Sequence, residues 1–313
     1  MGKIVVLGAN GFIGRHLTLA LAQSSLQPIV AFDRFSSYKA GTDHPFERYE
    51  HIEIVPGDFF NRSEVAEVIE GATYVFHLIS STNPATSNDD PFVDIDTNIR
   101  SSVELFQLCV EYKVKKIIFL SSGGTVYGDI DHDRIDETTL AQPHSPYGIG
   151  KLAIEHYLRY FKTVASLDYV IYRLANPYGP GQNILGKQGV IPIFMHHMLT
   201  KEPITIFGQG DMVRDYIYID DLVNMILQTY TRLNQYDEYN LGSGQGITVK
   251  QIIEAIEDCA GFKAKKRHVE APPTYTQKSV LDDSRFRQEF NLSATTSLEE
   301  GLKRTWDYVK TID

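Results

Sequence analysis

Tyr147 and Lys151 stand four residues apart in the stretch Tyr147-Gly148-Ile149-Gly150-Lys151. On a helix that spacing places the two side chains on one face, one turn apart. A neighbouring ammonium favours the phenolate and lowers the pKa of the phenol, which makes a tyrosine a proton acceptor and donor near neutral pH. The pattern is common, and a solvated surface pair is its ordinary meaning. Its context has to decide.

The first piece of context lies at the start of the chain. After the apolar run Ile4–Leu7 comes Gly8-Ala9-Asn10-Gly11-Phe12-Ile13-Gly14, followed by an amphipathic stretch. Three glycines at this spacing, between a strand and a helix, form a variant of the dinucleotide-binding turn. They permit the tight turn, the close approach of backbone to pyrophosphate, and the packing of helix on sheet. The helix start adds amide donors and a partial positive charge. Gly8, Asn10, Gly11, Phe12, Ile13 and Gly14 are therefore the candidate phosphate cradle. Asp33 ends the next apolar run, about 20 residues further on. A carboxylate there accepts both hydroxyls of an adenosine ribose and repels a 2′-phosphate, which selects NAD over NADP even though Arg34 follows at once. Asp58, after Gly57, has two readings: an acceptor for the adenine amino group, or a plain turn aspartate.

These residues need elements to position them. The strand candidates are Ile4–Leu7, Pro28–Phe32, Ile52–Val55, Tyr74–Leu78, Lys116–Leu120 and Tyr169–Leu174. Continuous apolar runs of this kind suit strands buried on both faces. Helical periods fall between them, at Phe12–Gln23, Ser63–Ile69, Pro91–Tyr112 and Tyr147–Val164. The alternation predicts an α/β fold, a Rossmann-like doubly wound parallel sheet. After about Asn176 glycine and proline punctuate the chain, a short strand is expected at Ile204–Phe207, and helices at Tyr218–Leu233, Val249–Cys259 and Leu298–Val309. The expected organisation is an NAD-binding domain over 1–175 and a smaller C-terminal α/β substrate lobe over 176–313, interleaved with the first. Leu298, Leu302 and Trp306 recur at a spacing of four, the mark of a core stripe.

The bulk composition bounds the partners. Of 313 residues, 42% are hydrophobic and 22% charged, and the net charge is −10. That balance argues against a nucleic-acid groove or an anionic membrane surface, but not against a phosphorylated small molecule held by local amides and a few cations. No apolar run reaches the length of a membrane span. The two cysteines, Cys109 and Cys259, have no metal or redox spacing and are expected to be reduced core residues of a cytoplasmic protein. No metal site is expected.

The ordered motifs together carry a resemblance. Besides the glycine turn, Asp33 and Asp58, they comprise His77-Leu78, Asn98 and Ser121-Ser122-Gly123-Gly124-Thr125-Val126-Tyr127-Gly128. The Tyr147/Lys151 pair follows, then Arg173-Leu174-Ala175-Asn176-Pro177-Tyr178-Gly179-Pro180-Gly181-Gln182 and Val213-Arg214-Asp215-Tyr216-Ile217. Over almost its whole length the chain resembles the extended short-chain dehydrogenase/reductases, in particular the NAD-dependent epimerase/dehydratase family. The resemblance implies that Tyr147 exchanges a proton with a sugar hydroxyl. It gives Lys151 the nicotinamide ribose and the task of holding Tyr147 ionised. Leu78 and Asn98 fall at further cofactor contacts. Asn176 and Arg214 would face the diphosphate of a nucleotide-sugar, where an arginine fork suits phosphate oxygens. The alternative for Arg214 is an ion pair with Asp211 or Asp215. Val190-Ile191-Pro192 and Ile204–Phe207 would flank the base, and two helices per subunit, Pro91–Tyr112 and Tyr147–Val164, would join a homodimer.

The departures narrow the chemistry. Where the family usually carries a Ser or Thr hydroxyl, this chain has Gly123, so Ser122 and Thr125 are the candidate substitutes. Where related proteins carry an arginine and an aspartate for the diphosphate, it has Pro272 and Tyr275, with Lys278 or Arg267 as replacements. The related dehydratases and decarboxylases need acids where this chain has Gly124 and Thr125. What remains is removal and return of a hydride, so the expected reaction is 4-epimerisation of a UDP-hexose. The resemblance places Ser279, before Val280-Leu281-Asp282, at the position that gates room for an N-acetyl group, and so small a residue there implies UDP-N-acetylglucosamine as a substrate beside UDP-glucose. The rival readings are another nucleotide-sugar enzyme of the family (dehydratase, decarboxylase or reductase) and a non-catalytic NAD-binding sensor, which would need neither Tyr147 nor Lys151.

Overall fold

The computed structural model describes residues 2–36, 44–82, 86–186, 188–271 and 276–312. Its first half runs β1 (Lys3–Leu7), α1 (Phe12–Ser24), β2 (Ile29–Asp33), β3 (Ile52–Pro56), α2 (Arg62–Ile69), β4 (Ala72–His77) and α3 (Pro91–Val93). A π-helical turn (Asp94–Ile99) leads into α4 (Arg100–Glu111), β5 (Lys116–Ser122), α5 (Gly123–Val126) and α6 (Pro146–Ala165). Then come β6 (Tyr169–Leu174), β7 (Asn176–Tyr178), α7 (Val190–Leu199), β8 (Ile204–Phe207), β9 (Val213–Tyr218) and α8 (Ile219–Thr229). The chain finishes with β10 (Glu238–Leu241), β11 (Gly246–Thr248), α9 (Val249–Ala260), β12 (Lys266–Val269), β13 (Lys278–Ser279), α10 (Ser284–Phe290) and α11 (Leu298–Ile312).

Two compact units divide the chain, one drawn from Met1–Ser121, Pro146–Tyr172 and Ile226–Glu238, the other from Ser122–Ser145, Arg173–Met225 and Tyr239–Asp313. The first carries the seven-stranded parallel sheet, in the order β10-β6-β5-β4-β1-β2-β3. Its outer strands β6 and β10 run on into the second unit. The order reverses beside β1, which pairs β2 on one side and β4 on the other. Such a reversal opens the crevice at the strand ends where dinucleotides bind. Ile4, Val5, Val6 and Leu7 are all buried, as a strand covered on both faces must be. Val5, Leu7 and Phe32 share a core with Leu105 and Phe106 of α4 and with Ile154, Leu158 and Phe161 of α6.

Local signals set the helix starts. Asn61 caps α2 by accepting from the Ser63 amide, and Asp90 accepts from Phe92 before Pro91 opens α3. The single helix expected over Pro91–Tyr112 is interrupted by the π turn, because its wider backbone sets both Asp94 and Asn98 inside the protein. Helix α8 is shorter than expected at both ends. Tyr218 belongs to β9, and after Thr229 the chain turns, with Tyr230 buried against Tyr74 and Phe76 at ring distances of 5.2 Å.

In the second unit β9 is the organiser. It pairs antiparallel with β11 and parallel with β13 and β7, while β8 and β12 form a separate parallel pair. Of the expected stripe on α11, Leu302 and Trp306 are buried, together with Val309, while Leu298 is half-buried. Cys109 is buried and Cys259 half-buried; both are free thiols. Among the described residues no helix is long and apolar enough to cross a membrane, and no cluster of ligating side chains could hold a metal ion.

Candidate active site

The cradle of the first unit is built by backbone. Gly8 has φ +89°, a conformation that L side chains rarely adopt. Its amide and that of Ala9 both donate to Phe32 O, at 2.9 and 3.2 Å, which ties the turn to the end of β2. A Cβ at Gly14 would lie 2.1 Å from Gly8 O, so only glycine lets α1 start this close to the turn. Gly11 caps α1 without a side-chain bond, leaving the first amides of Phe12 and Ile13 and the positive helix end for an anion. Asp33 is tied to the same loop: its Oδ2 accepts from the Asn10 amide at 3.0 Å, and its Oδ1 from the Arg34 amide at 2.7 Å. Leu78 continues β4 by donating to Leu7 O at 3.0 Å. These residues fit a dinucleotide: uncapped amides for the diphosphate, a carboxylate for the ribose.

Asp58 is exposed, and its Oδ1 accepts from the Phe60 amide at 3.0 Å, a turn built by its own side chain. Asn98 has its side chain fully engaged inside the first unit. Its Oδ1 accepts from the Ser81 amide and hydroxyl, at 2.9 and 3.0 Å, and its Nδ2 donates to Asp94 and Thr82, at 2.7 and 3.0 Å. It fixes the segment that follows β4.

Pro146 opens α6, so Tyr147 lies in its first turn and Lys151 one turn later. Tyr147 is half-buried; Lys151 is only 5% exposed. The ammonium donates to Leu120 O at 3.1 Å and lies 4.8 Å from the Phe119 ring centre and 5.8 Å from that of Tyr147. A buried cation held by a carbonyl and two π faces has one orientation. Burial pulls its pKa down to about 8, while Asp94 and Glu155 oppose the fall.

Glu155, one turn beyond Lys151, is fully buried; it accepts from Ser121 Oγ at 2.6 Å and pairs with Arg159 at 3.6 Å. Asp94 is buried too, its Oδ1 taking bonds from Thr82 and Asn98. A Cβ built at Gly150, beside Lys151, would sit 3.4 Å from that oxygen. His77 completes this interior. Ser102 gives its proton to Asn98 O, so His77 donates to Ser102 from Nε2, at 2.8 Å. Burial first, then Lys151, pushes the His77 pKa down to about 3, which leaves the ring neutral.

The second unit holds the remaining candidates. Ser122 ends β5 and caps α5 without a side-chain bond. A Cβ at Gly123 would collide with both Leu281 methyls, at 2.5 and 2.9 Å, and Thr125 Oγ1 is buried with no partner among the described residues. Asn176 lies on β7 and donates to Asp215 O at 2.8 Å. Arg214, on β9, donates from Nη1 to Val213 O at 2.9 Å and from Nη2 to Thr276 O at 2.6 Å. Its alternative partner Asp215 is committed elsewhere. That carboxylate accepts from the Ser243 amide and hydroxyl and from the Gly244 and Leu281 amides, and burial raises its pKa.

Ser279 is buried on β13, opposite Arg214 in register, and Val190 opens α7 half-buried. Lys278 pairs with Asp133 at 2.7 Å and Arg267 donates to Thr205 Oγ1 at 3.1 Å. Pro272 and Tyr275 lie outside the described residues.

Glu155 and Asp94 in the first unit, and Leu281 in the second, carry weight that sequence spacing did not assign. Glu155 had a visible signal, since it extends the four-residue ladder Tyr147, Lys151, Glu155 along one helix face. Asp94 had a weaker one, four residues before Asn98. Leu281 had none, because its contact with Gly123 joins distant parts of the sequence.

The profile of the NAD dependent epimerase/dehydratase family matches residues 4–242. The dTDP-4-dehydro-6-deoxyglucose reductase of Escherichia coli is 33% identical, with 96% of this chain and 95% of that one covered. A UDP-glucose 4-epimerase of Mycolicibacterium smegmatis is 30% identical over 98% of both chains. The crystal structure of UDP-glucose 4-epimerase from Thermotoga maritima with UDP-glucose superposes with a TM-score of 0.92 at 33% identity, over 99% of this chain and 100% of that one. With the family profile matched over residues 4–242 and relatives 30–33% identical along nearly its whole length, this chain belongs to the NAD-dependent epimerase/dehydratase family.

Proposed function

We propose that the protein is a UDP-hexose 4-epimerase, which inverts C4 through a 4-keto sugar. One observation carries this reading: a buried Lys151 set against the Tyr147 ring, with no carboxylic acid among residues 122–125. Inversion needs proton exchange at one hydroxyl and hydride exchange at its carbon, and no acid to expel water. The bound NAD supplies reversible hydride exchange. Tyr147 Oη takes the hydroxyl proton and gives one back; Lys151 holds the phenolate and the nicotinamide ribose. Asp33 holds the adenosine ribose, Arg214 and Asn176 the diphosphate, and Val190 the base. The likeness to an epimerase crystallised with UDP-glucose supports uridine as that base. Buried Ser279, with its small side chain, supports acceptance of the N-acetyl sugar.

The 33% identity to a 4-keto-sugar reductase favours a second reading, in which cofactor is consumed stoichiometrically. The two are separated by incubating the enzyme with UDP-glucose, UDP-N-acetylglucosamine or a 4-keto sugar, with NADH where needed. Epimerisation leaves mass and total cofactor unchanged and inverts C4 by NMR; reduction adds two hydrogens per cofactor oxidised. We also propose a homodimer through the helices of the first unit. Phe92 and Ile95, with Ile149, Tyr157, Tyr160 and Val164 of α6, are exposed apolar side chains there. Tyr160→Glu should convert a dimer to a monomer by light scattering, and a wild-type monomer would end that proposal.

A further inference from the structure

The turn that leaves β5 is Ser122-Gly123-Gly124-Thr125. Its two glycines differ. A Cβ at Gly124 would meet nothing within 4 Å. At Gly123 it would strike the two methyls of Leu281 and lie 3.2 Å from Leu174 O. Leu281 is itself fixed, fully buried and with its amide on Asp215 Oδ2 at 3.3 Å. The segment around it is laced to Ile135, which donates to Val280 O at 2.9 Å and accepts from the Asp282 amide at 2.8 Å. A side chain at position 123 would have to displace Leu281, and the glycine that stands there carries no hydroxyl.

Thr125 presents the opposite case. Its Oγ1 is buried without a hydrogen-bond partner among the described residues, which is rare for a hydroxyl in a folded protein. Thr163, Thr200 and Thr305 donate to the carbonyl four residues back, at 2.7 to 3.0 Å, whereas the hydroxyl of Thr18, inside α1, shares with Thr125 the lack of a partner among the described residues. Thr125 has no such carbonyl, because α5 is four residues long and the residue four back, Ser121, lies in β5. No described residue takes this hydroxyl. Thr125 as a whole is half-buried, and a turn about χ1 re-aims its oxygen.

We propose that Thr125 supplies the hydroxyl that binds the reacting oxygen of the sugar, the alcohol oxygen that becomes a carbonyl, in place of any side chain at position 123. The inference rests on the sugar-nucleotide reading above. Thr125 makes and keeps a hydrogen bond; the proton that leaves the sugar goes elsewhere.

The test compares Thr125→Val, which keeps shape and loses the hydroxyl, with Thr125→Ser, which keeps the hydroxyl. UDP-glucose turnover, bound NAD and melting temperature are measured for each beside wild type. Thr125→Val should fold, retain NAD and lose about 100-fold in kcat, while Thr125→Ser recovers most of it. Wild-type turnover in Thr125→Val overturns the proposal and leaves the epimerase reading standing. Equal losses in the two variants, or the same loss in Ser122→Ala with none in Thr125→Val, also overturn it. Wild-type protein that holds NAD but transforms no sugar nucleotide overturns the reading and the proposal together.

Discussion

Gly14 and Gly123 are both glycines at which a Cβ would collide, and they teach different things. At Gly14 the obstacle is the carbonyl of Gly8, part of the turn proposed to cradle the diphosphate. No neighbouring side-chain change can relieve it. At Gly123 the nearest obstacle is the Leu281 side chain, which belongs to this chain's own packing. One glycine is demanded by the backbone of its own turn, the other by a leucine side chain packed against it. The cradle is therefore fixed by the geometry of the strand–turn–helix, whereas the end of β5 is open to exchange between side chains.

The largest effect expected from that contrast is at the cradle. Gly14→Ala should abolish NAD binding, read as cofactor released on denaturation, and no second substitution near it should restore binding. Next comes the proposed proton carrier: Tyr147→Phe should lose about 1,000-fold in kcat while keeping its NAD, and retention of turnover would mean that another group moves the proton. At the end of β5, Gly123→Ser should cost about 1–3 kcal/mol by overpacking and Leu281→Ala about 2–5 kcal/mol by opening a cavity. Combined, the two should cost less than their sum, since each relieves the other. Strict additivity in urea melts would show that Leu281 does not set position 123.

A smaller effect concerns Lys151. Glu155 and Asp94 oppose the fall of its pKa, so Glu155→Gln should lower that pKa further. The limb of the pH–rate profile on which the ammonium is lost should then move to lower pH. The same depressed pKa makes a stability prediction. Between about 8 and the ordinary lysine value near 10.5 the unfolded chain binds more protons than the folded one, so Lys151's contribution makes stability rise with pH across that window. Lys151→Met should remove that slope, as measured by melting temperature against pH.

Much of the first unit was legible because its signals are local. A buried parallel strand reads as an unbroken apolar run, as in Ile4–Leu7. The glycine turn needs only its own backbone, and Tyr147 with Lys151 follows from helical spacing. The π turn at Asp94–Ile99 was not legible, because what holds it is a network with Ser81 and Thr82 on another segment. The end of α8 at Thr229 was hidden in the same way. Thr229 bonds the Tyr172 hydroxyl at 2.7 Å, and Tyr230 is drawn into the sheet's aromatic core, while the sequence alone continues in helical period. In the second unit β7, β11 and β13 are three residues or shorter, too brief to show alternation, and each exists by pairing with β9. Arg214 was legible as a residue, but its anchoring to Thr276 O was not.

The most direct test of the central claim is turnover of UDP-glucose by the purified protein, followed by NMR and mass spectrometry of the product and by the absorbance of reduced cofactor. The account predicts a product of unchanged mass, inverted at C4, with no net NADH formed and with Tyr147→Phe inactive though loaded with NAD. Loss of water or carbon dioxide from the sugar, or one cofactor consumed per turnover, would contradict it.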